Sequence, residues 1–190
     1  EFWNLPAQFI SKDITSILIT VGANDIVNCI PTIVNNIESK FPSFCIRIII
    51  SSNTKNISAI RELTNNTNVT LLENPPIDLI IKSMREADIA ISASGQTLCE
   101  LASLGVPGIC FSIIENQTNH GKAWNYNNGF YYAGEWGNNE TIDKIMKELD
   151  NLQDFTIREQ MSKNLKNLMD TYGAMRIVDV LLSKNAFNML

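Results

Sequence analysis

The sequence predicts one α/β domain: an open, doubly wound parallel sheet with helices on both faces. Short apolar, β-branched runs recur between Ser16 and Ile113, and a stretch with helical spacing or a turn follows each of them. The runs are apolar on both faces instead of alternating, as expected of strands covered from two sides. Strand–helix alternation of this length makes βαβ units with right-handed crossovers.

The first strand is expected at 16–21 (SILITV), followed by a turn at Gly22-Ala23-Asn24-Asp25 and a helix carried by Val27, Ile30, Ile33, Val34 and Ile37. A second strand at 45–51 (CIRIIIS) leads to a helix at 55–63, and a third strand lies at 69–72. Pro75-Pro76 breaks the chain before a helix near 77–86. A fourth strand at 88–93 (DIAISA), a short helix at 96–104 ended by Gly105, and a fifth strand at 107–113 (PGICFSI) complete the alternation. After Asn116 the pattern is helical apart from a short aromatic run at 130–132, with helices expected at 141–149, 156–169 and 175–182.

The 190 residues suit a single domain, 1–190, and the 45 % hydrophobic content is enough for a sizeable core. Twenty acidic residues against fifteen basic ones leave a net charge of -5, so no general field draws in nucleic acid. Local binding of an anion by backbone amides is compatible with that charge. No apolar run reaches the roughly 18–20 residues that cross a bilayer, and the opening residues do not read as a signal peptide. The four cysteines form no CxxC pair, and three sit in apolar runs. They are expected to be reduced, buried thiols in a cytoplasmic protein.

In open α/β sheets, ligands bind beyond the carboxyl ends of the strands, and three loops there carry unusual chemistry. In Gly22-Ala23-Asn24-Asp25, glycine permits a close backbone approach, and Asn24 or Asp25 can cap the next helix while amides remain for a phosphate. The competing reading is an ordinary turn. The run from Ser92 to Glu100 (SASGQTLCE) brings small residues straight into a helix start, with Glu100 placed to accept hydrogen bonds from a diol. Local spacing alone favours a capping box, Thr97-x-x-Glu100. The polar cluster from Glu115 to His120 offers Asn116 and Gln117 as amide contacts; a lone histidine is more often a surface or capping residue than a catalyst. There is no P-loop, GxSxG, HExxH, metal-ligand cluster or Asp-x-Asp pair, so neither a metal nor a cofactor is expected.

Taken in order, ILITVGAND, MREADIAISASGQTLCELASLGVPGICFSIIENQ and GAMRIVDVLL resemble the C-terminal domain of the UDP-sugar hydrolases of pseudaminic acid biosynthesis. That family stands with the spore-coat polysaccharide proteins. It is similar, more distantly, to the peptidoglycan N-acetylglucosaminyltransferase that makes lipid II. The resemblance implies the C-terminal, UDP-binding half of a GT-B fold, in which two Rossmann-like domains face each other across a cleft. It implies that Glu100 holds the ribose hydroxyls, and that Gly95, Gln96 and Thr97, with Ser94 in the same loop, face the diphosphate. Gly22 and Asn24 would line the cleft. The Asn74–Ile77 loop, with Ile77 at its end, would meet the uracil edge. Asn116 and Gln117 would contact the sugar, with Asn116 positioning the attacking water. The family's first turn has two adjacent glycines and a serine where this chain has Gly22-Ala23-Asn24, and the family's catalytic histidine lies in an N-terminal domain that this sequence lacks.

The expected activity is therefore the nucleotide-binding half of a UDP-sugar hydrolase that releases UDP from a modified amino sugar in bacterial surface polysaccharide or nonulosonic acid biosynthesis. Its partners would be the UDP-linked sugar and the N-terminal domain. The alternatives are a UDP-sugar-dependent GT-B glycosyltransferase and a non-catalytic nucleotide-sugar binding module.

Overall fold

A computed structural model describes residues 2, 5, 6, 8–138 and 140–187. Its strands are β1 (Ser16–Thr20), β2 (Cys45–Ile50), β3 (Val69–Glu73), β4 (Ile89–Ala93), β5 (Gly108–Ser112) and β6 (Tyr131–Glu135). They form one six-stranded sheet in the order β3-β2-β1-β4-β5-β6, and every neighbouring pair is parallel. This is the expected Rossmann-like sheet. The helices are α1 (Cys29–Lys40), α2 (Ile57–Glu62), α3 (Ile77–Arg85), α4 (Thr97–Leu104), α5 (Thr118–Tyr126), α6 (Thr141–Asn151), α7 (Phe155–Leu168) and α8 (Gly173–Phe187). α1 packs on α2 and α6 over one face; α4 packs on α3 and α7 over the other.

The central strands are apolar on both sides because both sides are covered: every residue of β4 and β5 is buried. In α1, Ile30, Ile33, Val34 and Ile37 form the buried stripe that their spacing predicts. The sixth strand was not expected. Its aromatic residues at 131–132 lead into Gly134 at φ +112°, and its pairing with β5 is irregular between Cys110 and Ser112. Such an edge strand has neither a two-sided apolar run nor a clean alternation to announce it. The cysteines also depart from expectation in part: Cys29 and Cys110 are buried, but Cys99 is half-buried and Cys45, the first residue of β2, is exposed.

Two buried charged groups hold the amino-terminal end of the sheet. Asp88 accepts from the Thr15 and Ser16 amides at 2.8 and 2.9 Å, which fixes the start of β1 against β4. Arg158 on α7 is fully buried. It donates to the carbonyls of Leu152 and Gln153 at the end of α6, and to those of Ser11 and Lys12 before β1, over 2.6–2.9 Å. One planar fork thus joins two helices to the entering chain. At the other extreme, α8 leaves Met175, Ile177, Val178, Val180, Leu181 and Leu182 exposed.

Arg158→Lys should destabilise the domain by about 2–4 kcal/mol, because one ammonium cannot serve four carbonyls and those left over are buried. Urea denaturation of the two proteins measures this; a loss below about 0.5 kcal/mol would mean that the clamp is dispensable.

Candidate functional site

The strand order reverses between β1 and β4, so α1 and α4 leave the sheet toward opposite faces, and a crevice opens between the carboxyl ends of these strands. A cleft of about 270 Å³ lies there. Gly22, Asn74, Pro75, Thr97 and Glu100 supply its rim, and Ile49, Ile80 and Met84 its apolar wall. No Lys, Arg or His is among the described residues that line it. A larger groove of about 710 Å³ lies between α5 and α7, at the amino end of β6. Its amides serve one another, Gln160 donating to Asn164 Oδ1 and Asn164 to the Asn128 carbonyl. Strand-end placement, not volume, singles out the smaller cleft.

The turn from β4 into α4 is held from beneath. Ser94 is buried, and both its amide and its hydroxyl donate to the Phe111 carbonyl, at 2.8 and 3.1 Å. Ser94 therefore lies under the cleft, and its hydroxyl is not turned toward a ligand. The Gly95 amide donates to the Ala93 carbonyl at 2.8 Å. The carbonyls of Gly95 and Gln96 accept from the Leu98 and Cys99 amides. The amides of Gln96 and Thr97 are left without a partner among the described residues, at the positive end of α4.

The capping box does not form. Gln96 occupies the cap position in a helical conformation, and Thr97 is already the first helical residue, so the pair is out of register for the box. No side chain caps α4, and the Glu100 carboxylate has no hydrogen-bond partner among the described residues. It is half-buried at the cleft rim, and burial holds its carboxyl above the usual glutamate range.

The first loop is arranged differently from the expectation. Asp25 is buried, and its carboxylate accepts from the Cys29 and Ile30 amides, each at 2.9 Å, and from the Cys29 thiol at 3.3 Å. The start of α1 is thereby closed to a phosphate. Burial, with Asp25 beside it, pushes the Cys29 thiol far above its ordinary range. Gly22, at φ +85°, needs glycine for its backbone and lines the cleft. Asn24 is exposed outside the lining, 3.5 Å from the Thr54 hydroxyl. Ile77 opens α3 but is not part of the wall. Asn74 and Pro75 are there instead, and the Asn74 side chain bonds to Ser52 of the next loop.

In the third loop, Glu115–Gln117 forms a single 3-10 turn. Gln117 accepts from the Ile113 amide at 3.0 Å and turns its Nε2 toward Gly95, where an added Cβ would lie 3.7 Å away. Asn116 is exposed, with no partner among the described residues. His120 is held at both ring nitrogens, Nδ1 by the Ser94 carbonyl and Nε2 by the Trp124 indole. The structure thus groups Gly22, Thr97 and Glu100 at the cleft and brings Gln117 to Gly95. Among the described residues, no three His, Cys, Asp or Glu side chains gather as metal ligands.

The family model of the glycosyltransferase family 28 C-terminal domain matches residues 16–174. The chain belongs to this family. No curated protein matches it in a sequence comparison. Among solved structures, the family 28 domain is similar to S. aureus MnaA solved with UDP, with a TM-score of 0.71 and 16 % identity over 94 % of this chain and 47 % of that one. It is similar to the UDP-GlcNAc 2-epimerase of Neisseria meningitidis bound to UDP-GlcNAc, with a TM-score of 0.69 and 22 % identity over 92 % and 46 %. It is also similar to MurG of Acinetobacter baumannii, with a TM-score of 0.66 and 17 % identity over 91 % and 51 %. These likenesses establish the fold, that of the C-terminal half of GT-B proteins, and the family 28 domain spans about half the length of each of the three. No helix among its described residues is long and apolar enough to cross a membrane.

Burial favours the neutral form of Glu100 in the folded state, so the charge on Glu100 lowers stability once the pH passes its unfolded value of about 4.3 and costs nothing below it. Glu100→Gln should melt at the wild-type temperature or above it at pH 7, and the gap should close as the pH falls through about 4. Thermal melts at several pH values check this. A variant that melts clearly lower at pH 7 would mean that the carboxylate holds a structural bond.

Proposed function

We propose that this domain binds the UDP moiety of a UDP-linked sugar, in an enzyme that breaks the sugar's anomeric bond to UDP and transfers the sugar to an acceptor. The observation that carries this reading is the pair of unpartnered amides, Gln96 and Thr97, at the start of α4, where Thr97 and, one helical turn on, the free carboxylate of Glu100 line the β1/β4 crevice. Two amides at a helix start suit a diphosphate. A carboxylate without a cap to make suits a ribose diol. The apolar wall of Ile49, Ile80 and Met84 suits the face of a pyrimidine, with the backbone at Asn74–Pro75 along its edge. The amides would stabilise the leaving diphosphate without a metal.

The reaction needs a general base, and the only histidine of the chain has both nitrogens occupied. The base would come from a second domain of the same protein. That the chain spans about half of its structural relatives supports this. So does α8, whose apolar side chains from Met175 to Leu182 need a partner surface. Membership of a glycosyltransferase family favours transfer. Hydrolysis, the chemistry of the resembled family, is the second reading; exposed, unpartnered Asn116 beside Gln117 favours it as a group that could orient a water.

UDP added to the domain should perturb the amide resonances of Gln96 and Thr97, and UMP, one phosphate shorter, should bind more weakly. Glu100→Gln should weaken UDP by about 1–2 kcal/mol, the value of hydrogen bonds to a charged group. Calorimetric titration with nuclear magnetic resonance measures both; equal UDP affinity in wild type and Glu100→Gln would remove the ribose role. With the full-length protein, UDP release from a UDP-linked amino sugar in the absence of any acceptor would favour hydrolysis over transfer.

A further inference from the structure

His120 is connected at both ring nitrogens, and the chemistry of its partners fixes its proton. The Trp124 indole N–H can only donate, and it lies 2.9 Å from His120 Nε2, so Nε2 bears the lone pair. The Ser94 carbonyl can only accept, and it lies 3.0 Å from Nδ1, so Nδ1 bears the hydrogen. The imidazole is neutral, in one tautomer. Its anchor is rigid: Trp124 is buried and packs edge-on against Phe130 with ring centroids 5.3 Å apart. The helix itself sits directly on Ser94, since a Cβ at Gly121 would come within 2.6 Å of the Ser94 hydroxyl and 2.5 Å of the Tyr132 ring.

The bond reaches the peptide that begins the α4 turn. The Ser94–Gly95 peptide is held on one side by His120 at its carbonyl and on the other by the Ala93 carbonyl at its N–H. The next two amides along the chain are those of Gln96 and Thr97. We propose that His120 is a positioning residue for the nucleotide site: its Nδ1–H tautomer pins the Ser94 carbonyl to α5 and so sets the direction of the Gln96 and Thr97 amides. The proposal rests on the nucleotide site described above. It assigns His120 no contact with the ligand.

The two bonds separate by isosteric substitution. Asparagine places an N–H where Nδ1 stands and loses the acceptor for Trp124; glutamine keeps an acceptor where Nε2 stands and loses the donor to Ser94. Long-range proton–nitrogen correlation spectra of the unaltered protein should show the Nδ1–H tautomer at neutral pH. His120→Asn should bind UDP within about twofold of wild type, and His120→Gln should lose about five- to tenfold, roughly the value of one hydrogen bond. An Nε2–H tautomer or an imidazolium at neutral pH would overturn the proposal, even where a variant fails to fold. Equal UDP affinity in the two variants, or a loss confined to His120→Asn, would overturn it as well. Should the wild type not bind UDP at all, the nucleotide reading fails and His120 is judged on amide chemical shifts without ligand. Displaced amide resonances of Gln96 and Thr97 in His120→Gln alone support the role, and any other pattern across the two variants overturns it.

Discussion

The reversal of strand order between β1 and β4 governs the rest of the molecule. Right-handed crossovers send α1 and α2 to one face, and α3 and α4 to the other, so no connection passes over the ends of β1 and β4. A parallel sheet covered on both faces exposes little backbone elsewhere. The crevice is therefore where unpartnered main-chain groups can persist next to apolar side chains. Gly22, Thr97 and Glu100 meet there although 75 residues separate Gly22 from Thr97.

The crevice keeps its shape because the groups beneath it are saturated. The Phe111 carbonyl takes two hydrogen bonds from Ser94, Asp25 occupies the first amides of α1, and the Gln117 carboxamide closes on the Ile113 amide. At the opposite end of the sheet, Asp88 and Arg158 do the same for the entering chain. Around the crevice, the amides of Gln96 and Thr97 and the Glu100 carboxylate are left without partners among the described residues.

The sheet was legible in the sequence because its five inner and leading strands are short, continuous apolar runs punctuated by Gly, Pro and Asn. β6 was not, since an edge strand with Gly134 and a register irregularity offers no periodic signal. The spacing Thr97-x-x-Glu100 suggested a box, but spacing cannot reveal that Gln96 is itself helical and moves the start of the helix by one residue. Asp25 was read as a cap that left amides free, whereas its carboxylate reaches two amides at once. The contacts of Arg158 and His120 depend on partners more than a hundred and some two dozen residues away, respectively, and no local pattern encodes them. For Glu100, local spacing weighed a cap against a diol contact and favoured the cap, and the family resemblance raised the ribose role proposed for it.

The absence of cationic side chains among the described residues of the cleft wall has a kinetic side. Amide dipoles act over a few ångströms, whereas a lysine or arginine attracts a phosphate across a Debye length of about 8 Å at physiological ionic strength. A diphosphate held here would be gripped only on contact, by a domain whose net charge of -5 opposes its approach. Capture would then gain nothing from steering, and departure would meet no long-range pull. Dissolved salt should consequently alter residence at this crevice far less than it alters phosphate sites built on basic side chains.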